Sequence, residues 1–193
     1  MKHLKNITII SLLFLLTLSF VGCGSSYPKP DESIKSFFTA MEKKDLKTAS
    51  IYLKDAGSID EFTKKNNVNN TTLELLSKAK CEILSSKVEG DTATAKVKVT
   101  APDSVALTKI SIKEAIPTIM NSSNDKKNDA ETIFANALIK HIKDPKVKTI
   151  SKEIEIKLSK NEKDNNWLIN MSDSFRDAMT GDLIKASDLL NKM

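Results

Sequence analysis

Cys81-Glu82-Ile83-Leu84-Ser85-Ser86-Lys87-Val88-Glu89-Gly90-Asp91-Thr92-Ala93-Thr94-Ala95-Lys96-Val97-Lys98-Val99-Thr100 decides the fold. In its second half Ala93, Ala95, Val97 and Val99 alternate with Thr94, Lys96, Lys98 and Thr100. Successive strand side chains point to opposite faces, so this is a strand with one buried and one wet face. Gly90-Asp91 between two such runs is hairpin chemistry. The reading is therefore two antiparallel strands, 81–89 and 92–100, and the flanking sequence must supply what covers their apolar face.

Upstream the period is helical. Ile34, Phe37, Phe38 and Met41 fall at i, i+3, i+4 and i+7, with Asp31 expected as the N-cap. Lys43-Lys44-Asp45 interrupts this face, and Asp45 can cap a second helix carrying Leu46, Ala49 and Leu53. Ser58-Ile59-Asp60-Glu61 and Thr71-Thr72-Leu73-Glu74 both read as capping boxes. They are separated by a polar loop at Asn66 to Asn70, and the second opens a helix expected to bury Leu73 and Leu76, with Leu75 less certain of a side.

Downstream, Pro102-Asp103 opens a helical section, 103–144. Ile110, Ile112, Ala115, Ile116 and Ile119 predict one helix, kinked or ended near Pro117. A polar loop follows at Asn121 to Asn128. Ala130, Ile133, Phe134, Ala137, Leu138 and His141-Ile142 predict the next helix, stopping before Pro145. Strand alternation returns at Ile154, Ile156 and Leu158, with Glu153, Glu155 and Lys157 facing out. After a polar turn at 161–166, Trp167, Ile169 and Met171 form a last strand face. Ser172-Asp173 starts a short helix with Phe175 and Met179; Gly181 stops it, and Leu183, Ala186, Leu189 and Leu190 form a closing helix. The expected fold is α+β: N-terminal helices packed on a curved antiparallel sheet, a helical section between strands and a C-terminal helix.

The first 23 residues have a different logic. Lys2 and Lys5 precede an apolar run from Ile7 to Phe20, and Phe20-Val21-Gly22-Cys23 closes it. That is the layout of an export signal. It resembles the bacterial lipobox, in which the cysteine takes a diacylglyceryl thioether and becomes the new N-terminus, with Phe20 standing where that pattern has Leu. The run is short for a spanning helix, which needs about 20 apolar residues, and no basic stop-transfer cluster follows. A cleaved signal without lipid is the lesser alternative, and a spanning stub the least. Residues 1–22 are expected as a signal peptide, 23–30 as lipidated Cys23 plus tether, and 31–193 as a single domain. The protein is then expected on the outer face of the cell membrane, held by two acyl chains at Cys23.

Of 193 residues, removal of 22 leaves 171, enough for one cored domain. The net charge of +5 falls to +3 when Lys2 and Lys5 leave. Arg176 is the only arginine, and planar bidentate phosphate recognition prefers arginine, so nucleic acid is not an expected partner. With Cys23 lipidated, Cys81 has no disulfide partner and reads as an inert thiol among apolar neighbours.

Asp31-Glu32-Ser33-Ile34-Lys35-Ser36-Phe37-Phe38-Thr39-Ala40-Met41-Glu42-Lys43-Lys44-Asp45-Leu46-Lys47-Thr48-Ala49 resembles the long helix, charged turn and second helix that open nuclear-transport-factor-2-like domains. Asn166-Trp167-Leu168-Ile169-Asn170-Met171 is similar to the late Trp-x-Ile strand of that family. The lipobox, section 103–144 and the ending Trp167 to Leu183 look like Gram-positive lipoproteins carrying a domain of unknown function. The resemblance covers residues 31–183. It implies a bent sheet wrapped as a cone around the helices, and fold likeness alone assigns no function.

Catalytic chemistry is sparse. His141 is the only histidine outside the leader and sits beside Lys140 and Lys143 at a helix end, a favourable place for an imidazolium. Neither zinc-type nor calcium-type spacing, a glycine-rich phosphate loop nor a nucleophile elbow is present, so no metal or cofactor is expected. Asp60-Glu61 and Glu153/Glu155 read as helix-start and outward-facing carboxylates; Asp173 and Asp177 are the acidic residues nearest the cone's end. Small Ala93 and Ala95 opposite Phe37, Phe38 and Met41, with Tyr52 and Trp167 at the margin, would leave room for an apolar ligand. Closer packing of helix on sheet is the simpler alternative. The expected function is a non-catalytic, membrane-anchored lipoprotein binding a small apolar or amphipathic ligand in its cone. The alternative is an interaction or structural lipoprotein docking an envelope protein through 103–144, and a cone-fold enzyme ranks last.

Overall fold

The computed structural model describes residues 27–54, 69–121 and 126–191. The leader, Cys23 and the Ser58 capping box lie outside the described residues. Among those described, the elements are α1 (Pro30–Glu42), α2 (Leu46–Ser50), α3 (Asn70–Leu76), β1 (Lys80–Glu89), β2 (Thr92–Pro102), α4 (Ser104–Asn121), α5 (Lys126–Lys143), β3 (Thr149–Asn161), β4 (Asn166–Ile169), α6 (Asp173–Met179) and α7 (Leu183–Asn191). The protein is α+β, with an open, curved antiparallel sheet in the order β1-β2-β3-β4.

The hairpin forms where its chemistry places it. Glu89 pairs with Thr92 around Gly90-Asp91, and Gly90 takes φ 61°. Ala93, Ala95, Val97 and Val99 are all buried. They pair across to β3, with Ala93 opposite Leu158, Ala95 opposite Ile156 and Val97 opposite Ile154. The opposite face carries the charges, including a Lys96–Glu153 pair at 3.0 Å. In β1 the register slips between Ile83 and Ser85, leaving Leu84 as the extra residue of a bulge. Short β4 is not left as a bare edge: Ile169 N–H donates to the Tyr52 carbonyl (2.7 Å) and Lys54 N–H to the Ile169 carbonyl (2.9 Å).

Helix starts differ from the sequence reading by one or two residues. Pro30, not Asp31, begins α1; Lys29 occupies the N-cap without a side-chain bond, and Asp31 and Glu32 lie in the first turn. Proline at the first helical position loses no hydrogen bond, and acidic residues there suit the positive end of the dipole. Asp45 caps α2 as expected, accepting the Thr48 N–H at 3.0 Å. Lys44 before it has φ 59°. Asn69 rather than Thr71 caps α3, and α3 buries Leu75 and Glu74, with Leu73 and Leu76 only half-buried. Glu74 is tolerated there because Lys44 donates to it.

Section 103–144 departs most. Helix α4 runs through Pro117 to Asn121 rather than ending at the proline, and α5 begins at Lys126, inside the expected loop. The buried face of α4 is Ser104, Leu107, Thr108, Ser111 and Ala115. Ile110 and Ile116 face outward, and Met120 is 79% exposed. Small residues let α5 and α7 approach α4 closely, so steric fit overrides the apolar stripe in choosing the contact face. The last helix behaves alike: Ala186 is buried, whereas Leu183, Ile184 and Leu190 are exposed.

Two cores result. The main one joins α1, α2, the sheet and α6; the lesser one is Leu75, Leu107 and Ile142, with Leu138 and Val147 against it. The two sit at different places along the sheet. Pro102 pairs with Thr149 at the sheet's α4 end, whereas the Gly90-Asp91 turn and the 161–166 turn meet at the other, where Lys160 N–H donates to the Asp91 carbonyl at 2.9 Å.

Candidate functional site

The seven residues expected to line a cone pocket fall in or against one continuous core. Phe37, Phe38, Met41, Ala93, Ala95 and Trp167 are buried, and Tyr52 packs against them half-buried. Phe175, expected only as an apolar residue of its helix, joins these seven. It is 0% exposed, and its ring lies 5.8 Å from Phe37 and 6.1 Å from Phe38. Helix α6, capped by Ser172 accepting the Phe175 N–H at 3.2 Å, packs on both β2 and β3. The main core thus has α6 as a third element beside α1 and the sheet. The Ser172 cap was visible in the sequence; the direction in which its helix folds back was not.

Residues 27–30, expected as tether, belong to the domain. The Trp167 Nε1–H donates to the Pro28 carbonyl (2.8 Å), and the Tyr27 ring meets Trp167 edge-on at 5.6 Å. The Tyr27 hydroxyl meets the Asn161 and Asn166 carbonyls and accepts the Asn161 N–H at 3.0 Å. Lys160 Nζ sits 4.8 Å above the ring. A tyrosine beside two prolines reads as linker by composition; its partners lie more than a hundred residues away and leave no local trace.

A cleft of ≈ 270 Å³ lies where α3, α4 and α5 meet. Leu75, Leu107, Phe134, Leu138, Ile142 and Leu183 form its apolar walls, and Asn69, Thr72, Ser104 and Thr108 its polar margin. Thr72 N–H is already taken by Asn69 Oδ1 at 2.8 Å, and Ser104 Oγ donates to the Thr180 carbonyl at 2.6 Å. What remains open to a ligand is mainly hydrocarbon. The cleft holds together through its ends: Glu114 on α4 receives Lys140 Nζ at 2.7 Å, and His141 Nε2 stands 2.9 Å from it, off the hydrogen-bond axis. Lys140 thereby joins α5 to α4. Hydrogen bonding to Lys140 holds the Glu114 carboxyl below its usual range.

The titratable groups are engaged in structure. Lys152 on β3 meets Asp177 of α6 and Asp182, which precedes α7. Burial pulls the Lys152 ammonium down, but the hydrogen bonds it donates to Asp177 and Asp182 outweigh it and leave its pKa raised. Asp182 is lowered, chiefly by the Lys152 bond. Asp173 lies at the surface, 3.0 Å from Arg176. Glu153 and Glu155 are exposed on the outer sheet face, and Asp60-Glu61 lie outside the described residues. Burial pushes the Cys81 thiol up to about 12, so it is not a thiolate at neutral pH. Among the described residues no three His, Cys, Asp or Glu side chains gather as a metal site.

These pairs set an acid limit. The pKa of Glu74 is lowered mainly by its Lys44 hydrogen bond, and that of Asp182 by Lys152. A lowered folded-state pKa gives stability that is full above the ordinary 4.5 and 3.8 and drains as pH falls through the folded values. Urea midpoints should therefore be level near neutrality and fall below about pH 4.5. Lys152→Met should lower the neutral midpoint and flatten part of the acid slope; an unchanged slope would assign the loss to other carboxylates.

Among the described residues no helix is long and apolar enough to cross a membrane. No family model matches this chain, and neither the curated proteins nor the solved structures contain a significant match to it.

Proposed function

We propose that this protein is a non-catalytic lipoprotein on the outer face of the cell membrane, anchored through Cys23, that binds a small apolar or amphipathic ligand. Its seat is the cleft between α3, α4 and α5. The observation that carries the reading is that cleft, ≈ 270 Å³ with six apolar walls and few unspoken-for polar atoms. Scaled from the about 150 Å³ cavity that takes benzene, it suits a ligand of roughly ten heavy atoms. The engagement of Lys152, Asp177 and Asp182 in structural contacts supports the non-catalytic part. The nuclear-transport-factor-2-like reading belongs with this proposal, supported by α1 and α2 packing against a curved sheet that ends in Trp167. The anchor rests on the residues leading to Cys23.

Docking of an envelope protein through 103–144 is the second reading, favoured by outward Ile110, Ile116 and Met120 on α4. Titration with 1-anilinonaphthalene-8-sulfonate separates the two. Ala135→Phe, which fills the cleft, should weaken probe binding about tenfold, equivalent to 1.4 kcal/mol. Ile110→Ser should leave it unchanged. The reverse pattern moves the apolar surface in use to the outer face of α4 and sinks the cleft reading.

A further inference from the structure

Tyr27 and the cleft lie at opposite ends of the sheet. Tyr27, the first described residue, is bonded to Asn161 and Asn166 at the hairpin end. Strand β2 then runs eleven residues from Thr92 to Pro102 before α4 begins, about 33 Å of extended chain. Ser104 and Leu107 of the cleft follow immediately. From Cys23 to Tyr27 the chain has four Cα steps, reaching at most about 15 Å. A lipid at Cys23 therefore keeps the 161–166 turn close to the membrane, with Tyr27 and Trp167 limiting the swivel.

The surface at that end fits this position. Ile51, whose carbonyl accepts the Asn166 amide, is 47% exposed, and Val88, four residues before the hairpin's return strand, is 51% exposed. Their charged neighbours offset one another: Lys87 pairs with Glu89, Lys160 with Asp91 (3.7 Å) and Glu162 (3.6 Å), and exposed Lys54, Lys163 and Asp164 complete the balance. The contact is then polar, with two apolar side chains in it, and close to charge-neutral, so it is indifferent to the headgroup's sign. The flank of the sheet mixes Lys96, Lys98 and Lys157 with Glu153 and Glu155, and gives lipid no reason to draw the domain onto its side.

Resting on the proposed lipid anchor, we infer that the domain stands end-on. The 90–91 and 161–166 turns meet the lipid surface through Ile51 and Val88, and the α3–α4–α5 cleft opens away from the bilayer. The ligand is thus taken from the aqueous side rather than from the leaflet beneath.

The test uses the lipidated full protein in vesicles of equal parts phosphatidylcholine and phosphatidylglycerol containing headgroup-nitroxide lipid. Bimane is attached at Lys163→Cys or Lys146→Cys in a Cys81→Ser background; both lysines are exposed, one at each end of the sheet. Quenching is expected several-fold stronger at 163 than at 146, and the same in pure phosphatidylcholine. Tyr27→Phe should narrow the contrast; an unchanged contrast would overturn the clamp. Equal quenching at both positions, or stronger quenching at 146, overturns the end-on arrangement while leaving the anchor intact. If instead the protein fails to float with vesicles, or floats equally as Cys23→Ser, the anchor is wrong and the orientation falls with it.

Discussion

Phe175→Ala should destabilise this protein by about 3–5 kcal/mol, the range for emptying an aromatic ring from a packed interior. Phe175 has no exposed surface and contacts Phe37 and Phe38, so the two α1 rings lose their common neighbour. For a domain of this size, each kcal/mol shifts Tm by roughly 2–4 °C, giving a fall of about 6–20 °C. Urea unfolding of a soluble Cys23→Ser form measures it. Phe175→Leu, keeping most of the volume, should cost under about 1.5 kcal/mol. The alternative outcome is informative. If Phe175→Ala cost under about 1 kcal/mol, the site would close around the missing ring, and the packing of Phe175 on Phe37 and Phe38 would not be what holds α6 to α1.

Gly181→Ala should be nearly as damaging, for a steric reason. A Cβ at Gly181 would stand 1.8 Å from the Pro102 carbonyl oxygen and 2.9 Å from its carbon, both backbone atoms. The residue also has φ 56°, which costs a side-chain-bearing residue about 1–2 kcal/mol. Forcing the backbones apart adds the 1–3 kcal/mol usual for overpacking, so roughly 2–5 kcal/mol is expected in all. Gly90→Ala isolates the first contribution: φ is 61° there, yet nothing lies within 4 Å of the new Cβ. It should cost only about 1–2 kcal/mol. The Ser104 N–H donates to the Gly181 carbonyl at 2.8 Å, so displacing residue 181 also shifts the start of α4 and one wall of the cleft. Weaker anilinonaphthalene-sulfonate binding should accompany the lost stability in Gly181→Ala and not in Gly90→Ala. Equal urea midpoints for the two variants would remove the close approach from the explanation.

Local pattern made much of this fold legible. Two-residue alternation from Ala93 to Val99 needs only the strand's own geometry, and Asp45 and Ser172 cap helices through bonds three residues away. The acidic first turn of α1 likewise answers to a dipole generated by that same helix. In α4 local pattern predicts the helix but not its buried face: Ser104, Leu107, Ser111 and Ala115 turn inward, and Ile110 and Ile116 are left outside. Hydropathy ranks residues by transfer from water, whereas helices packed this closely select for steric fit.

The sequence by itself determined the α+β class, the hairpin, the strand faces and the residues that were to be buried in α1 and β2. Each of these depends on neighbours within a few positions. Only the tertiary structure decided that Phe175 packs against Phe37 and Phe38, that Tyr27 is clamped to a turn at 161–166, and that a cleft opens between α3, α4 and α5. These contacts join residues tens to more than a hundred positions apart. Their energies depend on how whole elements fold back, and a one-dimensional pattern carries no record of that direction.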